Sequence, residues 1–154
     1  MNFLPIDLTK HKAKAIAFRR DSFIVSFGTD DGFGDPDGYI QWLAQNQEKF
    51  PDGFVMVEED EVLIGQLELS IREYKGEEIG YVHLFYLVPE KRGQGIGIKL
   101  DEYARKFFGK HQVAEFHLRV APSNDQALSF YKKLGMKVIG PEFDGKVIRM
   151  KGKV

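Results

Sequence analysis

Residues 87–100 read LVPEKRGQGIGIKL. An apolar strand end runs into a proline, a charged turn follows, and three glycines at alternate positions (Gly93, Gly95, Gly97) precede a new apolar pattern. Each glycine inside a helix costs about 1 kcal/mol against alanine, so the glycines have a purpose other than building one. A strand that delivers the chain into a glycine turn and then a helix is the layout of an anion cradle. Backbone N–H groups at the turn and first helical residues lack intrahelical partners, and the helix dipole adds partial positive charge there. The Rossmann spacing G-x-G-x-x-G fails, because a start at Gly93 or Gly95 ends on Ile98 or Leu100. The P-loop spacing fails too, since neither Gly-Lys pair (109–110, 145–146) is followed by Ser or Thr. Both a phosphate cradle and an unliganded glycine turn stay open at this point.

The surrounding elements define a fold. FLPID (3–7) reads as a first strand. Thr9 caps a helix through about Phe18 or Arg20, with Ala13, Ile16, Ala17 and Arg20 at helical spacing, and 22–27 is ambiguous between helix and strand. GTDDGFGDPDG (28–38) is a loop, followed by a helix from about Asp37 to Lys49. Residues 53–60 and 61–73 form a hairpin through the Glu58–Glu61 turn, and 79–89 is a further strand. A helix from Ile96 to Gly109, a strand over 115–122, a helix from Ser123–Asn124 to Gly135, and a closing hairpin (136–143, 146–152) complete the order. The expectation is a mixed α/β (α+β) domain covering residues 1–154, with a mostly antiparallel twisted sheet of six to seven strands, about four helices, and one parallel crossover from 79–89 to 115–121.

The 154 residues are 43% hydrophobic and 29% charged, with a net charge of -1 and no cysteine. That composition suits a folded domain and gives no reason to expect nucleic-acid binding. It also removes disulfides, thiolate metal sites and cysteine nucleophiles. No basic-then-apolar leader and no run of about 20 apolar residues is present, so the expectation is a cytoplasmic protein off the membrane. Charge is uneven: Asp21 to Glu48 holds six acidic residues and no Lys or Arg, whereas Lys132 to the end holds seven basic residues against Glu142 and Asp144.

Val88-Pro89-x-x-Arg92-Gly93-Gln94-Gly95-Ile96-Gly97 resembles the acetyl-CoA signature of the GNAT superfamily of N-acetyltransferases, Q/R-x-x-G-x-G/A. A second block, Asn124, Ala127, Tyr131, Lys133 and Gly135, resembles the family's N-x-x-A-x-x-x-Y-x-K-x-G-F run, with Met136 in place of Phe. The resemblance implies that acetyl-CoA is the co-substrate, with no metal. It implies a splayed parallel strand pair at the CoA site. Backbone N–H groups of Arg92, Gly93, Gln94, Gly95, Ile96 and Gly97 would hold the pyrophosphate, and Leu87 and Val88 would bond the pantetheine arm. Asn124 would reach that arm or cap its helix, with Ala127, Tyr131 and Lys133 completing the cofactor side.

The chemistry implied is direct attack of an amine on the thioester without an acyl-enzyme. The Val88 N–H would stabilise the oxyanion and Tyr131 would act as general acid. His83 is the first candidate base, with Glu78 and His117 behind it. The segment joining the first two helices walls the acceptor site in this superfamily. Asp30, Asp31, Phe33 and Tyr39 would then face a cationic acceptor such as a polyamine, an aminoglycoside, or a lysine or N-terminal amine. A catalytically silent CoA-binding regulatory module is the alternative, and a second copy of the chain is an open partner.

Overall fold

The computed structural model describes residues 1–154, and the chain forms one seven-stranded sheet with helices on both faces. In chain order the elements are β1 (Asn2–Pro5), α1 (Lys12–Phe27), α2 (Pro36–Lys49), β2 (Phe54–Glu59), β3 (Val62–Tyr74), β4 (Glu77–Leu87), α3 (Ile96–Lys110), β5 (Glu115–Val120), α4 (Asp125–Lys133), β6 (Lys137–Glu142) and β7 (Val147–Lys153). The sheet order is β1-β2-β3-β4-β5-β7-β6. Every neighbouring pair is antiparallel except β4 and β5. No helix is long and apolar enough to cross a membrane.

Two apolar clusters flank the sheet. The larger is closed by α3 through Ile96, Leu100, Ala104, Phe107 and Phe108 against Val55, Leu67, Leu69, Val82 and Phe116. The smaller is closed by α1 and α2 through Ala15, Phe18, Tyr39 and Leu43 against Phe54, Met56, Leu84 and Tyr86.

Helix α1 departs from its sequence reading in start, length and face. Asp7 Oδ1 accepts from the Thr9 and Lys10 N–H groups, so the chain turns before the helix begins at Lys12, and Thr9 is not its cap. The ambiguous 22–27 segment continues the helix to Gly28, which closes it in the left-handed conformation. Ala15 and Phe18 face inward, whereas Ala13, Ala17 and Arg20 are exposed.

What positions the site is a fault in β4. Its register against β3 runs Glu68↔Leu84 and then Leu69↔Val82, so His83 has no partner and forms a bulge. Strict alternation would put Tyr81, His83, Phe85 and Leu87 on one face. With the bulge, Tyr81, His83, Leu84 and Tyr86 face α1 and α2, and Phe85 and Leu87 join Val82 on the α3 face. The parallel pairing of β4 with β5 stops at the same point. Only Gly80↔Phe116, Tyr81↔His117 and Val82↔Leu118 pair, and beyond Val82 the two strands part.

Candidate active site

Three features meet where β4 and β5 separate: an open strand edge, an uncapped helix start and a tyrosine. The Val88 N–H donates to the Ile64 carbonyl at 2.8 Å, which turns it toward β3. The expectation that Val88 stabilises an oxyanion is therefore corrected. Because edges alternate along a strand, the N–H groups of Phe85 and Leu87 point the other way, toward β5, which no longer pairs there. The Leu87 carbonyl on that edge accepts from Arg92 Nε at 2.9 Å.

The turn after β4 begins as a short 3-10 helix over Pro89–Lys91. Lys91 and Arg92 N–H donate to the Val88 and Pro89 carbonyls. The next five N–H groups, from Gly93, Gln94, Gly95, Ile96 and Gly97, donate to no other group of the chain. Gly93 and Gly95 are left-handed (φ 76° and 80°), and a Cβ built on either would meet nothing within 4 Å. Gly97 serves differently: a Cβ there would stand 2.7 Å from the Phe130 ring, so it lets α4 approach α3. The cradle thus has the unpaired donors and open space that a diphosphate requires.

Arg92 does not belong to that cradle as expected. Its N–H is bonded to Pro89, and its guanidinium turns back to Asp21 Oδ2 (3.2 Å), the Leu87 carbonyl and the Tyr86 ring. The same Asp21 oxygen accepts from the Tyr86 hydroxyl, so one carboxylate ties α1 to the end of β4. The Gln94 side chain is exposed and bonds the Glu90 carbonyl, and the Ile96 side chain is buried in the α3 core.

From α4, Asn124 Oδ1 accepts from the Ala127 N–H at 3.2 Å, which makes Asn124 the helix cap. Ala127 packs against the α3-side core, and Lys133 is exposed in the last turn. Tyr131 stands edge-on to Phe85, with ring centroids 6.2 Å apart, at the mouth of the split. Burial pushes its phenol up to about 12.

On the other side of the bulge, His83 is held between Ser70 Oγ (2.7 Å from Nε2) and the edge of Trp42. Burial, followed by the positive charges of Arg72, Arg19 and Arg119, lowers its pKa to about 3. His83 is therefore neutral at any working pH and too weak a base to deprotonate an ammonium ion. The alternatives fare no better. Glu78 is exposed near the start of β4, five residues and about 16 Å of strand from the bulge. His117 is buried, with Glu115 on one ring nitrogen and Arg149 on the other.

Sequence reading missed a buried polar cluster beneath the bulge. Arg19 Nη1 donates to Glu68 Oε1 at 2.7 Å and to the His83 carbonyl at 3.1 Å. Glu68 also accepts from Tyr39 and from Gln66 Nε2. Tyr39, one of the expected acceptor residues, is thus a buried donor whose phenol is pushed up by burial and by Glu68. A pocket of about 420 Å³ opens above it, lined by Arg19, Phe23, Phe33, Asp35, Gly38, Tyr39 and Trp42. Phe33 is therefore at the pocket as expected, but Asp30 and Asp31 are not. Asp30 lies 3.9 Å from Arg20, Asp31 is exposed, and the acid that reaches the lining is Asp35, the cap of α2. No group of three or more His, Asp or Glu side chains is placed to hold a metal ion.

The family model of the GNAT acetyltransferases matches residues 17–136, and the chain belongs to that family. It is 29% identical over 102 residues to an uncharacterised N-acetyltransferase of Methanocaldococcus jannaschii, covering 64% of this chain and 44% of that protein. It is 30% identical over 99 residues to the peptidyl-lysine N-acetyltransferase YjaB of Escherichia coli, covering 64% of this chain and 50% of that one. The chain thus spans about half the length of these relatives. Among solved structures, the PaiA N-acetyltransferase of Thermoplasma acidophilum, in complex with coenzyme A, superposes with a TM-score of 0.72. That match covers 99% of this chain and 98% of the other at 23% identity, a likeness of fold.

Proposed function

We propose that the chain is an acetyl-CoA-dependent N-acetyltransferase that passes the acetyl group directly to a primary amine within a ternary complex. One observation carries this reading: five consecutive unpaired N–H groups, Gly93 to Gly97, sit beside a strand edge whose pairing ends after Val82. The first suits a diphosphate and the second suits an amide-bearing arm lying alongside as an added strand. Acetyl-CoA would supply the thioester on which the amine acts.

The chain's own groups then have separate jobs. Phe85 and Leu87 N–H face the gap, and the Phe85 N–H, nearer the bulge, takes the oxyanion role expected of Val88. Tyr131 donates a hydrogen bond toward the departing sulfur. The bulge turns His83 and its neighbours to the opposite face, where an acceptor can approach without crossing the cofactor arm. The absence of cysteine agrees with a route that forms no acyl-enzyme.

For the acceptor, the structure favours less cationic amines than the acidic loop suggested. The place for a cation among Phe23, Tyr39 and Trp42 is taken by the chain's own Arg19, whose guanidinium carbon lies 5.6–5.8 Å from each ring centroid. An amine carried by a peptide, as the name of the Escherichia coli relative describes for that protein, fits better than a polyamine or aminoglycoside.

Protein mixed with acetyl-CoA and an amine panel, followed by free-thiol release and mass spectrometry of the amine, tests the reading. The expected result is stoichiometric thiol and acetylamine with no acetylated protein. Tight CoA binding without turnover of any amine would instead leave a CoA-binding regulatory module.

A further inference from the structure

The acceptor-facing side of the sheet carries an arginine cluster with too little negative charge to match it. Helices α1 and α2 cover this face over β2 to β4, and beside them the face presents Arg72 of β3, Tyr81 of β4, Arg119 of β5 and Arg149 of β7. Three guanidinium carbons surround the Tyr81 ring, at 5.1 Å (Arg72), 5.6 Å (Arg119) and 5.8 Å (Arg149) from its centroid. The Tyr81 ring in turn stands 4.8 Å from the ring of His83, the bulge residue.

The carboxylate within this cluster is Glu142 of β6. It bonds Arg119 Nε at 2.8 Å and Arg149 Nε at 2.9 Å, and Arg149 is buried with its Nη1 against His117. Arg72 is exposed, lies beside the Tyr81 ring, and has no carboxylate within 4.0 Å. Arg119 and Arg149 share Glu142, and Arg72 is left with no carboxylate in a chain whose net charge is -1. Burial is the first cause of the lowered His83 pKa, and Arg72, Arg19 and Arg119 add to it.

We propose that the acceptor carries a carboxylate close to its amine, and that Arg72, with the outer edge of Arg119, receives it. This rests on the acetyltransferase reading for the amine, but the anion subsite can be measured without turnover. A guanidinium presents a planar fork of donors, the geometry that pairs with a carboxylate. Tyr81 neighbours both Arg72 and His83, so the subsite lies one aromatic ring away from the bulge, where the acetyltransferase reading brings the amine. The field of these arginines lowers the cost of bringing the amine in unprotonated, because a neutral amine is repelled less than an ammonium ion. The carboxylate belongs either to a small amino acid or to an acidic residue next to the amine in a peptide.

The test uses CoA-saturated protein and matched probes that differ in one charge. One pair is a free-amine tetrapeptide with Glu or Gln after the amine-bearing residue, and the other is an amino acid and its carboxamide. The expected result is a preference for at least one carboxylate partner of about tenfold or more, in Kd with CoA and in kcat/KM with acetyl-CoA, weakening as salt rises. The pair that shows it identifies the source of the carboxylate. Arg72→Gln brings the ratio to within about twofold, and Arg72→Lys keeps part of it, because charge persists without the fork. A wild-type ratio near one in both pairs, or an undiminished ratio in Arg72→Gln, overturns the subsite. Retained binding preference without thiol release supports the subsite and removes the acetyltransferase reading.

Discussion

Tyr131 enters the split as a phenol that burial holds well above the usual tyrosine value, at about 12. A group that weak as an acid does not surrender its proton outright to a thiolate, whose reference value is about 8.5. It can hydrogen-bond to the sulfur as charge develops there, which stabilises the transition state more than the bound ground state. Tyr131→Phe keeps the ring against Phe85 and Phe130 and removes only the donor. The expected outcome is a fall in kcat of about a hundredfold, the usual range for one lost catalytic donor, with CoA affinity changed less than threefold or so. Steady-state rates beside CoA titration check this, and a fully active Tyr131→Phe would make Tyr131 a packing residue. His83 is understood the same way, by its surroundings: buried and flanked by arginines, it braces Ser70 and Trp42 as a neutral imidazole.

At the scale of elements, the glycine turn and its two neighbours show what the sequence reveals and what it hides. Strand, turn, helix and the Asn124 cap were legible because each rests on local chemistry: alternation, unusual backbone angles and a side chain that bonds its own backbone. The phase of α1 was not legible. It is set by the Asp7 turn and by contacts across 49 and 64 residues of chain, from Arg19 to Glu68 and to the His83 carbonyl. The polar stripe Gln66, Glu68, Ser70, Arg72 has a period of two and reads as a solvated strand face, yet the first three are buried under α1 and α2. A Glu in the middle of such an apolar strand was the available hint of a buried partner. The bulge leaves no sequence mark at all, and it decides which face His83 joins and which N–H groups border the gap.

The glycines also fail in two different ways when changed. Gly95→Asp puts a negative side chain at an open, left-handed position beside the cradle; CoA affinity should fall more than tenfold while stability drops by only about 1–2 kcal/mol. Gly97→Ala drives a methyl into Phe130, so it should cost about 1–3 kcal/mol in stability, and Phe130→Leu should recover part of that. Denaturant unfolding and CoA titration separate the two. Equal losses of affinity and stability in both variants would contradict the division of labour within the turn.

Across the whole molecule, charge is arranged against the average. A chain of net charge -1 leaves Arg72 without a carboxylate while Arg19 is paired with Glu68 and Arg119 with Glu142, and Asp30, Asp21 and Asp35 near α1 and α2 are spent on Arg20, Arg92 and the α2 cap. Neither candidate side chain changes charge between pH 5 and 9: His83 stays neutral until about pH 3, and Tyr131, on the cofactor side, keeps its proton up to about 12. The group that must change protonation is then the acceptor itself, which reacts only as the neutral amine. Below the amine's own pKa, kcat/KM should fall about tenfold per pH unit; above it, the rate should level off without an alkaline decline below pH 10. An N-terminal α-amine places that break near 8 and a lysine side chain near 10.4, because kcat/KM reports the free acceptor. The break should therefore move when the acceptor is changed and stay put in His83→Gln. A break between 6 and 7 that is the same for every acceptor would mean that a base of the protein takes the proton.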